Sequence, residues 1–294
     1  MVDQTSPQSL AGEVSSLFTL PDMVMRAVAV MDSPTGTAQE LVEVIELDAG
    51  LAATVLKLAN SALYGHLGKV ETLSHAVAMI GHKALKDLVL ATSAVRAFKD
   101  IPAGFVDMDT FWDNSITCGV LAKLIARQAR LAESETLFIA GLLHGVGRLV
   151  FYAQRPSEYR QVLELVQGGE NDLTAAERQV FGFDYADLGA ALLEAWKLPE
   201  KLQVAVGYHQ HPATAPGYPK EVAVVHLANR ITATLAPCLK TQVEPGQYTP
   251  DATATAALET LGIAPGDLDE IRLDALAASL EVIEIIHPGA TTIF

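Results

Sequence analysis

Ile139-Ala140-Gly141-Leu142-Leu143-His144-Gly145 is an apolar run that ends in a histidine and a glycine. Alanine and leucine cost least in a helix, whereas strands favour β-branched and aromatic residues, so the run predicts a short helix over Glu135 to His144. The same chemistry extends over the whole chain. Aromatic residues make up only 6% of the 294 positions while Ala, Leu and Val recur throughout, and no strand-like alternation or fixed-period repeat competes. The expected fold is all-α. With 50% hydrophobic residues, the chain can bury its core in one large domain or two modest lobes.

Lys plus Arg total 20 against 35 Asp plus Glu, a net charge of −15. A field of that sign repels phosphate backbones and anionic membranes, which argues against nucleic acid and membrane partners. Arg26, Lys57, Lys69, Lys83 and Lys86 all fall in the first third and are read as solvated helix charges. Cys118 and Cys238 lie far apart in segments that read as helical, which suits reduced, buried thiols. Met1 to Gly12 has neither a basic start nor an apolar signal core, and no later stretch offers about 20 uninterrupted apolar residues. These features point to a cytoplasmic protein.

Residues 1–16 read as a polar leader. Met23, Ala27, Val30 and Met31 recur at helical spacing up to the turn at Ser33-Pro34-Thr35-Gly36. Thr37 with Glu40 forms a capping-box pattern, and Asp48 is placed to cap a helix closed by Leu58-Ala59-Asn60-Ser61-Ala62-Leu63-Tyr64-Gly65. Two further helices are expected over Leu73 to Ile80 and Lys83 to Phe98. Lys99-Asp100-Ile101-Pro102-Ala103-Gly104-Phe105 breaks the pattern, dividing an N-terminal helical lobe (17–103) from a second lobe (104–240). The second lobe opens with a long amphipathic helix from Asp109 to Arg130. Residues 241–294 form a helical extension expected to pack on that lobe.

Histidine both binds transition metals and titrates near neutrality. His144, at the end of the apolar run, and His209, within Tyr208-His209-Gln210-His211-Pro212, are placed to face an interior pocket.

The motifs resemble the HDOD family, a regulatory branch of the HD phosphohydrolase superfamily, from about Leu17 to Leu235. They are Leu20-Pro21, Asp48-Ala49-Gly50-Leu51-Ala52, the Leu58–Gly65 phrase, Ala76-Val77-Ala78-Met79-Ile80-Gly81, Phe111-Trp112, Ala140–His144, Gly182-Phe183-Asp184, Trp196-Lys197-Leu198-Pro199 and Val225-His226-Leu227-Ala228-Asn229. The resemblance implies a two-lobed helical fold. It also implies what catalysis would need, since the superfamily gathers His and Asp side chains around one or two cations that neutralise phosphate charge and acidify a bound water. Here Asn114 stands where the first histidine is expected, Gly145 where the aspartate of the His-Asp pair is expected, Gln210 in the later histidine cluster and Asn229 at the last aspartate. Glycine supplies no ligand, and neutral amide oxygens lack the charge of a tight catalytic site. His144 and His209 survive, with His211 and His226 nearby in sequence. The reading is therefore a vestigial pocket of Asn114, His144, His209 and Asn229, with no metal ligand and no cofactor.

Asn60, Ser61 and Tyr64 are read first as a cap and turn, with a groove between the lobes as the functional alternative. The leading expectation is a non-catalytic signal-transduction module that acts through protein partners, with an apolar patch covered by a partner or by a second copy as a homodimer. A metal-dependent phosphohydrolase or phosphodiesterase is the first alternative. A nucleotide-messenger-binding protein is the second, although no phosphate-cradling glycine loop supports it.

Overall fold

A computed structural model describes residues 6–15, 26, 29–30, 33, 37–64, 69–81, 85, 89, 107–132, 134–166, 169–241 and 248–287. The expected helices over Met23 to Met31 and Lys83 to Phe98 fall largely outside these residues. So do Lys83, Lys86, Gly65 and the Lys99–Phe105 boundary. The described elements are helical throughout: α1 (Pro7–Ser15), α2 (Ala38–Glu46), α3 (Ala49–Ala59), α4 (Met108–Gln128), α5 (Ser134–Leu143), α6 (Val146–Gln154), α7 (Pro156–Leu165), α8 (Gly169–Phe181), α9 (Tyr185–Ala195), α10 (Glu200–Tyr208), α11 (Pro219–Thr241), α12 (Ala252–Leu261) and α13 (Asp267–Ile286). Residues 73–81 are also helical, and short 3₁₀ turns follow α3 and α10.

Side chains start these helices as the sequence suggests. The Thr37 hydroxyl accepts from the Glu40 amide at 3.2 Å while the Glu40 carboxylate accepts from the Thr37 amide at 3.0 Å, and Asp48 accepts from the Leu51 amide at 2.9 Å. Each bond satisfies a donor that the first helical turn leaves open. Gly182, at a φ of 85°, turns the chain from α8 to α9, where Asp184 caps the next helix and Asp187 completes a second capping box.

The centre of the fold is α4. It packs against α5, α11 and α13, and its buried residues include Trp112, Ile116, Cys118, Val120, Leu121 and Ile125. The expected amphipathic helix is thus buried on nearly every side, because three neighbours surround it rather than one. Close approach is made possible by missing side chains. A Cβ on Gly141 would stand 2.6 Å from the Cys118 carbonyl oxygen, and one on Gly147 would stand 2.0 Å from that of Tyr185. Residues Ser134 to Gln154 are together long and apolar enough to cross a membrane, but 89% of their most apolar window is buried among the other helices. Core helices meet the same criterion.

Two features add to the sequence reading. The polar leader contains α1, whose Leu10 is fully buried against α9 and α6 while Glu13 pairs with Arg155 at 3.0 Å. Leu10 and Ala11 are too few to make a periodic signal, so only the receiving surface reveals the helix. The C-terminal extension packs on α4 and α11, and also reaches the N-terminal lobe, where the Glu281 carboxylate accepts from the Ala62 amide at 2.8 Å. Nearby, the fully buried Lys123 places its ammonium 3.2 Å from the Tyr64 ring centroid and 3.8 Å from a Glu135 oxygen. Most buried apolar residues from Leu10 to Ile283 form one continuous core, with Ala59, Val70 and Ala76 in a small separate cluster.

The Gly147 contact is with backbone, which cannot rotate away. Gly147→Ala is expected to cost about 1–3 kcal/mol or more from overpacking, whereas Gly217→Ala, with nothing within 4 Å of its Cβ position, should change stability by less than about 0.5 kcal/mol. Urea unfolding of both variants checks this.

Candidate functional site

His144 and His209 sit at the ends of α5 and α10 and close those ends in the same way. His144 Nδ1 donates to the Gly141 carbonyl at 2.7 Å and His209 Nδ1 to the Val206 carbonyl at 2.6 Å, three residues back in each case. A carbonyl can only accept, so both neutral rings carry the proton on Nδ1 and present a lone pair at Nε2. The rings meet edge to face with centroids 5.4 Å apart. The structure therefore brings the two surviving histidines together, and both are buried.

The lone pair of His209 is already engaged. The Tyr185 hydroxyl lies 2.9 Å from His209 Nε2, and the Gln210 amide reaches the Tyr185 oxygen at 2.5 Å and His209 Nε2 at 3.1 Å. His226 Nδ1 donates to the His209 carbonyl at 2.8 Å, joining α11 to the group. Asn229 is buried one turn further along α11, and Asn114 is half-buried on α4. Among the described residues, Asn114 makes no hydrogen bond to the histidine pair.

Gly145, which follows His144, packs against an aromatic ring. A Cβ there would lie 3.3 Å from the Phe111 ring, which itself stands edge-on to Trp112. An added side chain would press on that ring, which would have to yield by a few tenths of an ångström. No group of three His, Cys, Asp or Glu able to hold a cation occurs among the described residues. The donor set does not fit a catalytic metal, since one imidazole is committed to a phenol and its neighbours offer amides and rings.

Behind Tyr185 lies a buried acid that the sequence did not single out. Glu177 accepts from the Tyr159 hydroxyl and from the Tyr185 backbone amide, each at 2.8 Å. Loss of water on burial pushes its carboxyl up to about 7, partly opposed by the nearby Arg148 guanidinium and these hydrogen bonds. Burial and the Glu177 carboxylate push the Tyr159 phenol up as well. Arg148 lies 3.8 Å from the Tyr185 ring centroid, holding the tyrosine from its other side. Glu177 occupies a polar-looking stretch, Ala176-Glu177-Arg178-Gln179, with nothing local to mark it as buried.

Asn60, Ser61 and Tyr64 do structural work. The Asn60 amide donates to the Leu56 and Val70 carbonyls and accepts from the Val70 amide, each at 2.8 Å, tying Val70 to the end of α3. Ser61 donates to the Leu58 carbonyl at 2.7 Å, and Tyr64 is buried under Lys123 at the junction of the lobes. Ser61 and Tyr64 are buried, while Asn60 is exposed.

The sequence profile of the HDOD domain matches residues 17–212. The chain belongs to the HDOD family. It is similar to an HDOD domain protein of unknown function from Geobacter sulfurreducens, with 26% identity and a TM-score of 0.71 over 95% of this chain and 98% of that one. A Shewanella amazonensis structure whose name proposes a phosphohydrolase shares 24% identity and a TM-score of 0.72, over 93% and 97% of the two chains. A Marinobacter aquaeolei structure whose name proposes a signal transduction protein shares 20% identity and a TM-score of 0.65, over 97% and 67%. An uncharacterised Treponema pallidum protein is 26% identical over 226 residues, 75% of this chain, which spans 43% of that protein's length. The HDOD match ends at Pro212, so His226 and Asn229 lie beyond it.

A raised carboxyl favours the folded state while protonated. Glu177 therefore contributes stability below its unfolded value near 4.5 that is lost as pH rises through about 7. Glu177→Gln, which keeps an acceptor for the Tyr185 amide, is expected to remove about 3 kcal/mol of that pH dependence. Urea unfolding of both proteins between pH 5 and pH 8 measures the difference.

Proposed function

We propose that this HDOD chain is a non-catalytic module of bacterial signal transduction that works by docking to other proteins. The observation that carries this reading is Gly145 itself, which supplies no carboxylate beside His144 and whose Cβ position lies 3.3 Å from the Phe111 ring. The Tyr185 hydroxyl on His209 Nε2 supports it, because a proton donor occupies the lone pair that a cation would take. The amides of Asn114, Gln210 and Asn229 add no charge to offset a phosphate-bound cation. With chemistry unsupported at this position, the family's signalling association leaves binding as the mode of action.

Protein purified without tag or chelator is expected to hold less than about a tenth of an equivalent of transition metal, and to turn over neither cyclic dinucleotides nor mononucleotides with added manganese or iron. Near-stoichiometric metal with turnover would replace this reading with a phosphohydrolase. Calorimetric heat with a nucleotide messenger would replace it with a nucleotide-binding role. Docking itself predicts a protein from the same cell that binds the purified chain saturably, with a Kd below about 10 μM.

A further inference from the structure

A cleft of about 690 Å³ opens between the start of α1, the outer face of α9 and the face of α10, and its lining includes none of the histidines. The seam of α9 and α10 is built from small residues. A Cβ on Gly207 would stand 2.9 Å from that of Ala190, so the helices approach closely and no large side chain rises between them. Phe181 and Phe183 continue this apolar floor, and both are stacked on Phe151 in the core, at 4.3 Å and 5.7 Å between centroids. The floor is thus set by buried packing before anything binds.

The rim has one sign of charge. Asp187, Glu194 and Glu200 line the cleft and no lysine or arginine does. Asp187 shares the Arg178 guanidinium with Asp184, at 3.3 Å and 2.8 Å. Glu194 and Glu200 are exposed, and Glu200 accepts from the Tyr218 hydroxyl at 3.4 Å.

We infer that this cleft is the docking site for a basic, amphipathic segment of a partner protein, whose apolar side chains lie on the Phe181–Ala190–Val204 floor while its Lys or Arg residues meet Glu194 and Glu200. The inference rests on the docking reading and names its surface and the chemistry of its partner. A second copy of this chain is disfavoured as the occupant, because each carries a net charge of −15. The field that repels phosphate draws a basic segment toward the rim.

The test uses the full chain and a short labelled amphipathic peptide of Lys and Leu, with its Glu and Leu counterpart as control, read by fluorescence anisotropy. Two double variants separate the site from overall charge: Glu194→Lys with Glu200→Lys on the rim, and Glu270→Lys with Asp274→Lys on α13. All four residues are exposed, and both pairs change the net charge equally. The Lys peptide is expected to bind wild type and the α13 variant alike, to bind the rim variant at least about tenfold more weakly, and the Glu peptide is expected not to bind. Equal weakening in both variants, or no binding to wild type, overturns the inference. A native partner held equally by wild type and the rim variant overturns the cleft assignment while leaving the docking reading intact. Failure of wild type to bind any native partner counts against docking itself, and the peptide result still decides what the cleft accepts.

Discussion

The crossing of α6 and α9 is the contact on which the rest of the site depends. Gly147 lets the α6 backbone lie directly against the Tyr185 carbonyl, a separation that no side chain survives. This approach places the Tyr185 ring under Arg148, its amide on Glu177 and its hydroxyl on His209. A shift of α9 by even one methyl group would disturb all three, because packed interiors have no slack to absorb it. A single missing side chain thereby organises a buried polar network drawn from α6, α7, α8, α9 and α10.

That network accounts for the buried polar groups around the two histidines. Buried polar groups are costly unless bonded, and here the histidine rings bond to helix-end carbonyls while the remaining lone pair of His209 is met by Tyr185. Phe111 occupies the adjoining volume beside Gly145. These polar groups form an interior joint between α5, α10 and α11. The outer faces of α9 and α10 are left free of that task, and there the acidic rim and apolar floor form the large cleft.

The two lobes are joined through side chains distant in sequence. Lys123 reaches from α4 to Tyr64, and Glu281 on α13 caps the turn at Ala62. A buried ammonium against an aromatic face, with a carboxylate at 3.8 Å, is partly compensated for its lost hydration. Since α13 touches both lobes, the C-terminal extension belongs to the body that the site depends on.

Local chemistry was legible in the sequence: the all-α class from its Ala- and Leu-rich composition, the caps at Thr37 and Asp48 from short-range patterns, and the family from His144, the Leu58–Gly65 phrase and their companions. Asn114, Gly145, Gln210 and Asn229 were picked out for the same reason, since each is a residue type at a place in a pattern. What the tertiary structure decided depends on residues far apart meeting: Phe111 beside Gly145, Tyr185 on His209, Glu177 with its water removed, and Leu10 of a supposed leader buried on α9. Burial and contact belong to pairs of elements, and a helix pattern records only that a face is apolar, not which neighbour covers it.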